Sequence, residues 1–153
     1  MSNNEEAQET NIDVDALLYA LDDESNSYLF NLTNDKLNKM NLEILSQLDL
    51  PREQTLSLAK KLQGYKYIDE MTDLKPGTFL RWISLIDDGS AVELKKGGLY
   101  CETKITDAGL RLCVKNIFHR HFSLNFDDYL IFQKLTNQEL VLLSALDFLN
   151  KEA

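Results

Sequence analysis

The sequence predicts an α+β fold: N-terminal helices that form a helical hairpin, a small antiparallel β-barrel or rolled sheet of about five or six strands, and a C-terminal helix. Apolar residues follow the 3.6-residue helical period before Gly64 and a period of two from Tyr65 onward, and the helical period returns after Leu135. We therefore expect a disordered acidic tail at 1–11, a helical extension at 12–63, the barrel domain at 64–135 and a terminal helix at 136–153.

The first predicted helix begins after the acidic tail, with Asp13 or Asp15 as its cap. Its apolar stripe has the spacing i, i+3, i+4, i+7 and consists of Val14, Leu17, Leu18 and Leu21. Such a stripe either packs on its own domain or docks in a groove of a partner protein.

Two further helices are predicted before the sheet. The first runs from about Asn34 to Leu48 and is capped by Thr33 or by Asn34 itself. The second begins at Pro51, a residue type favoured in the first helical turn, and ends at Leu62 ahead of Gly64. The short connection between them predicts an antiparallel helical hairpin.

A strand after the Pro76-Gly77 turn is apolar on both faces, so we expect both to be covered. Trp82 is predicted to lie in the core, and Arg81 near a strand edge where its guanidinium reaches water.

The next two strands are predicted to pair with Ile105 opposite Leu110, which leaves a loop at 106–109. The expected inward residues of the first strand are Leu99, Cys101, Thr103 and Ile105. In that register Cys101 lies opposite Val114 and Cys113 points to the other face, which disfavours a Cys101–Cys113 disulfide.

The last elements are two strands and a helix. Phe118, Phe122, Leu124 and Phe126 are expected on one side of a strand, and a final strand precedes the helix. Thr136 and Glu139 have the T-x-x-E spacing of a capping box, which predicts where the helix begins.

Charge is unevenly distributed along the 153 residues, of which 25 are acidic and 16 basic, for a net charge of −9. Residues 1–50 hold eleven carboxylates against two lysines, whereas residues 65–135 hold ten groups of each sign. The N-terminus has no signal-peptide pattern, no apolar run reaches bilayer length, and two cysteines fit a reducing compartment. We therefore expect a protein that is not secreted and that resides in the cytosol or nucleus.

Residues 64–137 carry a resemblance to a known group of proteins. It rests on "GYKYIDEMTDLKPGTFLRWI", on Gly97-Gly98, on "VKN" at Val114–Asn116 and on "YLIFQKLTNQE". These strings resemble small β-barrel proteins encoded by nucleocytoplasmic large DNA viruses of algae and amoebae. The resemblance implies a viral, non-enzymatic barrel protein, a minor component of a virion or of its assembly, and it brings no functional residues to this chain.

Histidine and aspartate, which often act in catalytic or metal sites, occur in this sequence without the additional residues that such sites require. His119 and His121 share a strand face near Cys113 in the prediction, but a metal site needs three or four ligands, so we expect a solvated face. The pairs Asp87-Asp88 and Asp127-Asp128 fall in predicted loops, where aspartate is common. No phosphate-binding glycine loop is present. The sequence therefore predicts no enzyme activity and no cofactor.

Two functions remain as hypotheses. The first is a structural or protein–protein interaction role with capsid or assembly proteins as partners, in which Val14, Leu17, Leu18 and Leu21 contact the partner. The alternative is a barrel that binds nucleic acid, with an acidic N-terminal segment competing for its basic face. The basic residues of this alternative, interleaved with aromatic ones, are Arg81, Lys95, Lys96, Lys104, Arg111, Lys115 and Arg120.

Overall fold

A computed structural model describes residues 15, 33–87, 89 and 91–152. The predicted acidic tail and the stripe of Val14, Leu17, Leu18 and Leu21 lie outside these described residues. The chain divides into two compact units. One comprises residues 38–135, and the other includes residues 33–37 and 136–152.

The described elements are three helices and six strands, which confirms the α+β class. The helices are α1 (Asn34–Ser46), α2 (Arg52–Lys61) and α3 (Asn137–Glu152). The strands are β1 (Tyr65–Tyr67), β2 (Phe79–Ser84), β3 (Gly98–Thr106), β4 (Gly109–Lys115), β5 (His121–Asn125) and β6 (Tyr129–Lys134). Among these helices, none is long and apolar enough to cross a membrane.

Short-range signals fix the helix ends. The Lys36 N–H donates to Thr33 Oγ1 at 3.2 Å, so Thr33 caps α1 as predicted. Gly64 adopts a φ of 82° just after α2, which confirms its left-handed conformation. At α3, the Thr136 N–H donates to Glu139 Oε1 at 2.9 Å and the Glu139 N–H donates to Thr136 Oγ1 at 3.2 Å, so the predicted capping box is confirmed.

All six strands form one antiparallel sheet with the order β1-β6-β2-β3-β4-β5. The two end strands, β1 and β5, do not pair with each other, so of the two predicted forms, barrel or rolled sheet, the barrel is wrong. The sheet is nevertheless curved, because the Trp82 ring on β2 meets the Phe122 ring on β5 edge to face, with centroids 5.6 Å apart.

The outer edge of β1 is occupied by α1, which explains why the sheet stays open. Asn41 is only 2% exposed. Its Nδ2 donates to the Tyr65 carbonyl at 2.9 Å, and its Oδ1 accepts the Tyr67 N–H at 3.2 Å. One amide side chain thus makes the hydrogen bonds that a neighbouring strand would have made.

The sheet has a core on each face, as expected from the doubly apolar β2. The Trp82 face carries Ile68, Leu74, Leu80, Trp82, Tyr100, Leu112, Val114, Leu124 and Ile131. The helix-side face packs against α1 and α2 through Leu45, Leu58, Leu62, Ile83, Leu94, Leu130 and Phe132. Trp82 is 5% exposed, which confirms its predicted core position.

A β-bulge in β3 overturns part of the predicted register. Tyr100 pairs with Val114 and Glu102 with Cys113, so Cys101 is the extra residue. The prediction that Cys101 lies opposite Val114 is therefore wrong. Both cysteines are free thiols.

The bulge exchanges the predicted faces only for the residues before it, Leu99 and Tyr100, because Thr103 and Ile105 still lie opposite Leu112 and Leu110 as predicted. Tyr100 is buried in the core, whereas Leu99 and Ile105, both predicted to point inward, are 44% and 83% exposed. The pairing of Ile105 with Leu110 is confirmed, but pairing continues to Thr106 and Gly109. The turn is thus two residues long rather than four.

The β4–β5 connection is a turn organised by one asparagine. Asn116 Oδ1 accepts the N–H groups of Phe118 at 2.9 Å and Arg120 at 3.0 Å, and His119 adopts a φ of 61°. Phe118 therefore lies in the turn, 75% exposed, and its predicted place on the strand is wrong.

Two adjacent glycines allow β3 to start between its neighbours. A Cβ on Gly97 would collide with the Leu80 carbonyl oxygen, and a Cβ on Gly98 would lie 2.8 Å from the Lys115 carbonyl oxygen. The backbone of β2 and that of β4 approach this point too closely for any side chain.

Candidate functional site: an aromatic groove

A groove of about 650 Å³ opens in the unit formed by residues 38–135. Five aromatic side chains line it: Phe79, Trp82, Phe118, Phe122 and Tyr129. Its remaining walls are formed by Ser84, Ile86, Ala91, Val92, Glu93, Lys95, Lys96, Gly97, Asn116 and Ile117. The volume is within the range typical of binding pockets. We call this site the aromatic groove.

Three strands supply the floor. Trp82 on β2 and Phe122 on β5 form the edge-to-face pair, and Tyr129, the first residue of β6, pairs with Ser84 at the end of β2. The curvature of the sheet thus brings side chains that are far apart in sequence onto one surface.

The segment between β2 and β3 forms one wall and is held by three contacts. Leu94 bridges Ile83, the Lys95 N–H donates to the Trp82 carbonyl at 2.9 Å, and Arg81 Nε donates to the Lys95 carbonyl at 3.0 Å. Arg81 lies on the interior strand β2, so its expected place near an edge is wrong, but its side chain is only partly buried. Its role here is to position the wall that carries Lys95.

The β4–β5 turn forms the opposite wall and is strongly apolar on its outside. Ile117 is 74% exposed and Phe118 is 75% exposed. The two bonds that Asn116 accepts hold this turn in shape. Exposed apolar side chains beside a concave apolar site indicate a surface for contact with another molecule.

The seven basic residues of the nucleic-acid hypothesis are divided among separate places. Lys95 and Lys96 line the groove, where Lys95 lies 3.3 Å from the Glu93 carboxylate. Three others lie on the helix-side face, where Lys104 and Arg111 are exposed and Lys115 is half-buried.

The other two do not line the groove, although Arg81 contacts the Lys95 carbonyl. Arg120 is in the β4–β5 turn and Arg81 is in β2. On the helix-side face, Lys104 pairs with Glu102 at 3.5 Å and Arg111 Nη1 donates to Ser123 Oγ at 3.4 Å. The structure therefore does not gather the seven into one basic stripe.

The structure does not bring the candidate metal ligands together on one strand. His119 is in the turn and His121 begins β5, so the prediction that they share a strand face is wrong. Within the described ranges, no group of three His, Cys, Asp or Glu side chains is arranged to hold a metal ion. Asp127 and Asp128 lie in a 3-10 turn between β5 and β6.

Shifted titrations occur on β1, outside the groove. Burial raises the pKa of the Tyr67 phenol, and the nearby Asp69 carboxylate raises that pKa further. Burial also raises the pKa of Tyr65, while the Arg81 charge partly opposes that shift. Neither tyrosine lines the groove.

Comparison with known proteins finds no match among family models, curated proteins or solved structures. The function must therefore be argued from the residues of this chain.

Sequence reasoning found part of the groove and missed part of it. Trp82, Lys95 and Lys96 were among the residues singled out, whereas Ile117 and Tyr129 were not. The asparagine at the start of "NIFHR" was a usable signal, because asparagine favours turns and a turn would have exposed the two apolar residues after it.

Proposed function

We propose that this chain is a non-catalytic protein-interaction module whose aromatic groove binds an apolar segment of a partner protein. The observation that carries the proposal is the junction of a concave aromatic floor with the exposed Ile117 and Phe118 on its rim. Aromatic side chains supply large contact areas at small entropic cost, which makes them frequent anchors of protein interfaces.

The rim indicates the chemistry of the bound segment. Lys96 lines the groove, and Lys95 forms an ion pair with Glu93, with Lys95 Nζ 3.3 Å from Glu93 Oε2. An apolar segment that carries one acidic residue therefore fits this site better than a polyanion does. The apolar part would fill the floor, and the carboxylate would meet a lysine at the rim.

The first experiment selects peptides from a displayed random library on the full-length protein and measures their binding by tryptophan fluorescence. Trp82 is the only tryptophan of the chain and lines the groove, so its emission reports occupancy directly. We expect selected peptides to be apolar with an acidic residue, and Phe118→Ala to weaken their binding by about tenfold or more.

The matched control is Ile105→Ala. Ile105 is 83% exposed, comparable to Phe118, but it lies in the β3–β4 hairpin and does not line the groove. This variant should bind the same peptides as the unmodified protein. The proposal would be contradicted if the Phe118→Ala variant bound the peptides as tightly as the unmodified protein. It would also be contradicted if no selected peptide changed the Trp82 fluorescence.

The nucleic-acid hypothesis has one observation in its favour: Lys104, Arg111 and the half-buried Lys115 share one face of the sheet. If phosphates bind there, the affinity for labelled single-stranded DNA or RNA must fall steeply as salt rises, because bound counterions are released. Peptide binding in an apolar groove should change little with salt. Steep salt dependence that is lost in the Arg111→Glu variant would favour this second function.

A place in a viral particle is proposed on the resemblance of residues 64–137 alone. Under this proposal the partner is a capsid or assembly protein, and the stripe of Val14, Leu17, Leu18 and Leu21 provides a second contact. Deletion of residues 1–30 tests that second contact: unchanged partner affinity in the deletion variant would exclude it.

A further inference from the structure

The outer edge of β5 carries backbone groups that point away from the sheet. Asn116 N donates to the Arg120 carbonyl at 3.0 Å, and the β4–β5 register continues from there with Lys115 opposite His121. Hydrogen-bonded pairs alternate along an antiparallel ladder, so the backbone groups of Phe122 and Leu124 point toward β4. Those of His121, Ser123 and Asn125 point outward.

Within the described part of the chain, no backbone hydrogen bond reaches those three residues from the outer side. The edge also lacks the usual protections, since "HFSLN" contains no lysine, no proline and no acidic residue, and its pairing with β4 has no bulge. The other end strand, β1, is protected by Asn41. An exposed and regular edge is a template for an added strand.

We propose that β5 pairs with β5 of a second copy of this chain, antiparallel about a two-fold axis at Ser123. This inference does not depend on the proposed function of the groove. This pairing would produce a dimer in which the two open sheets join into one continuous sheet.

The sequence of β5 is complementary to itself in this arrangement. The register centred on Ser123 pairs all five residues and places His121 opposite Asn125 of the second copy, with Ser123 opposite its own equivalent. Phe122 then meets Leu124 of the second copy on the Trp82 face. Apolar residues therefore meet apolar ones, polar residues meet polar ones, and no two like charges are opposed.

The hydrogen bonds also match. The outward groups of His121, Ser123 and Asn125 become three hydrogen-bonded pairs across the axis, which gives about six backbone hydrogen bonds. Any unrelated strand could offer similar bonds, but the second copy is the occupant for which this sequence itself supplies the complementary side chains.

The test measures the oligomeric state of the full-length protein by sedimentation velocity as its concentration increases. We expect a concentration-dependent dimer. Ser123→Lys and Ser123→Glu should each weaken dimerisation by about tenfold or more, because each places two like charges across the axis. Mixing the two variants should restore a heterodimer, since the opposed charges then attract.

Ser57→Lys is the matched control, because it makes the same change at an exposed serine on α2. It should dimerise as the unmodified protein does. A chain that remains monomeric at all concentrations overturns the inference, and so does a dimer that both Ser123 variants leave unchanged. Peptide binding reported by Trp82 should persist in the Ser123→Lys variant, which separates failure here from failure of the proposed function.

A cross-link tests the register. Directly opposite residues of a hydrogen-bonded pair have Cα atoms about 5.5 Å apart, which a disulfide can span. Ser123→Cys, made together with Cys101→Ser and Cys113→Ser, should form an interchain disulfide on oxidation. Cys113 must be replaced because it pairs with Ser123 across β4 and β5. A dimer that does not cross-link overturns the pairing about Ser123.

Discussion

The two ends of the sheet show opposite ways of ending a β-structure. At β1 the buried amide of Asn41 meets the backbone of Tyr65 and Tyr67, and the edge is closed by a helix of the same chain. At β5 the described structure provides no such side chain, and five residues of regular strand remain available. The difference shows that an edge can be closed with a single amide, and that the described residues use that solution at β1 but not at β5.

The aromatic groove follows the same asymmetry. It includes Phe122 of β5 and the turn that leads into β5, whereas the β1 residues Tyr65 and Tyr67 do not line it. The groove therefore reaches the open end of the sheet at β5 and does not reach the protected edge at β1.

The largest expected effect comes from proline substitutions on β5. They compare a residue whose backbone groups point toward β4 with one whose groups point away from the sheet. Phe122→Pro removes a ladder hydrogen bond and the ring that packs on Trp82, so we expect the free energy of unfolding to fall by about 4 kcal/mol or more. Measured at a concentration at which the chain is monomeric, Ser123→Pro removes an N–H that points outward and should cost less than about 1 kcal/mol. Urea unfolding of both variants measures the difference. Similar losses would contradict the assigned alternation.

A smaller loss is expected when the protected edge is opened. Asn41→Leu leaves the Tyr65 carbonyl and the Tyr67 N–H without their partner, which should lower the free energy of unfolding by about 2–3 kcal/mol. Asn38→Leu, at an exposed position of the same helix, is the control and should change little. If both variants unfold alike, Asn41 does not protect the edge.

The smallest effect concerns the response of β1 to alkaline pH. Burial raises the pKa of Tyr67 above its unfolded value, so the folded state holds this proton more tightly than the unfolded state does. The stabilisation is complete below about pH 10 and is lost as pH rises through the folded pKa. Tyr67→Phe should therefore reduce the alkaline fall in unfolding free energy, measured by urea titrations at neutral and alkaline pH.

An unchanged alkaline slope in the Tyr67→Phe variant would contradict this assignment. Tyr65→Phe should have a weaker effect, because the Arg81 charge opposes the shift at that residue. The β5 segment contains no tyrosine and should contribute nothing to this slope.

Local signals predicted local structure well. The Thr33 cap and the Thr136–Glu139 capping box depend on residues a few positions apart, and both were readable from sequence. The doubly apolar pattern of β2 likewise predicted its two covered faces, since such a strand has no side to offer to water.

The faces of β3 could not be read in the same way. Its sequence places apolar residues at both parities, with Leu99 and Ile105 in one set and Tyr100 in the other. One extra residue at Cys101 switches the inward set, because a shift by one position exchanges the faces: Tyr100 lies on the Trp82 face before the bulge, and Thr103 lies on it after the bulge. That decision depends on the partner strands and leaves no local signal.

The groove was only partly predictable for a related reason. The sequence predicted Trp82 as a core residue, and it predicted Lys95 and Lys96 as basic residues interleaved with aromatic ones. Their assembly with Phe122 and Tyr129 depends on the curvature of the sheet, which brings β2, β5 and β6 together. The sequence also did not reveal that the sheet stays open. That outcome depends on the hydrogen bond between the Asn41 side chain and the backbone of β1.

Gly97 and Gly98 mark a place where evolution has little freedom. Every side chain larger than hydrogen collides there with the main chain of β2 or of β4, whichever residues those strands carry. Surface loops and even core side chains can be exchanged over long divergence, but this pair is constrained by backbone alone. Distant relatives of this protein should therefore keep two consecutive glycines at the start of β3 after most other resemblance has been lost.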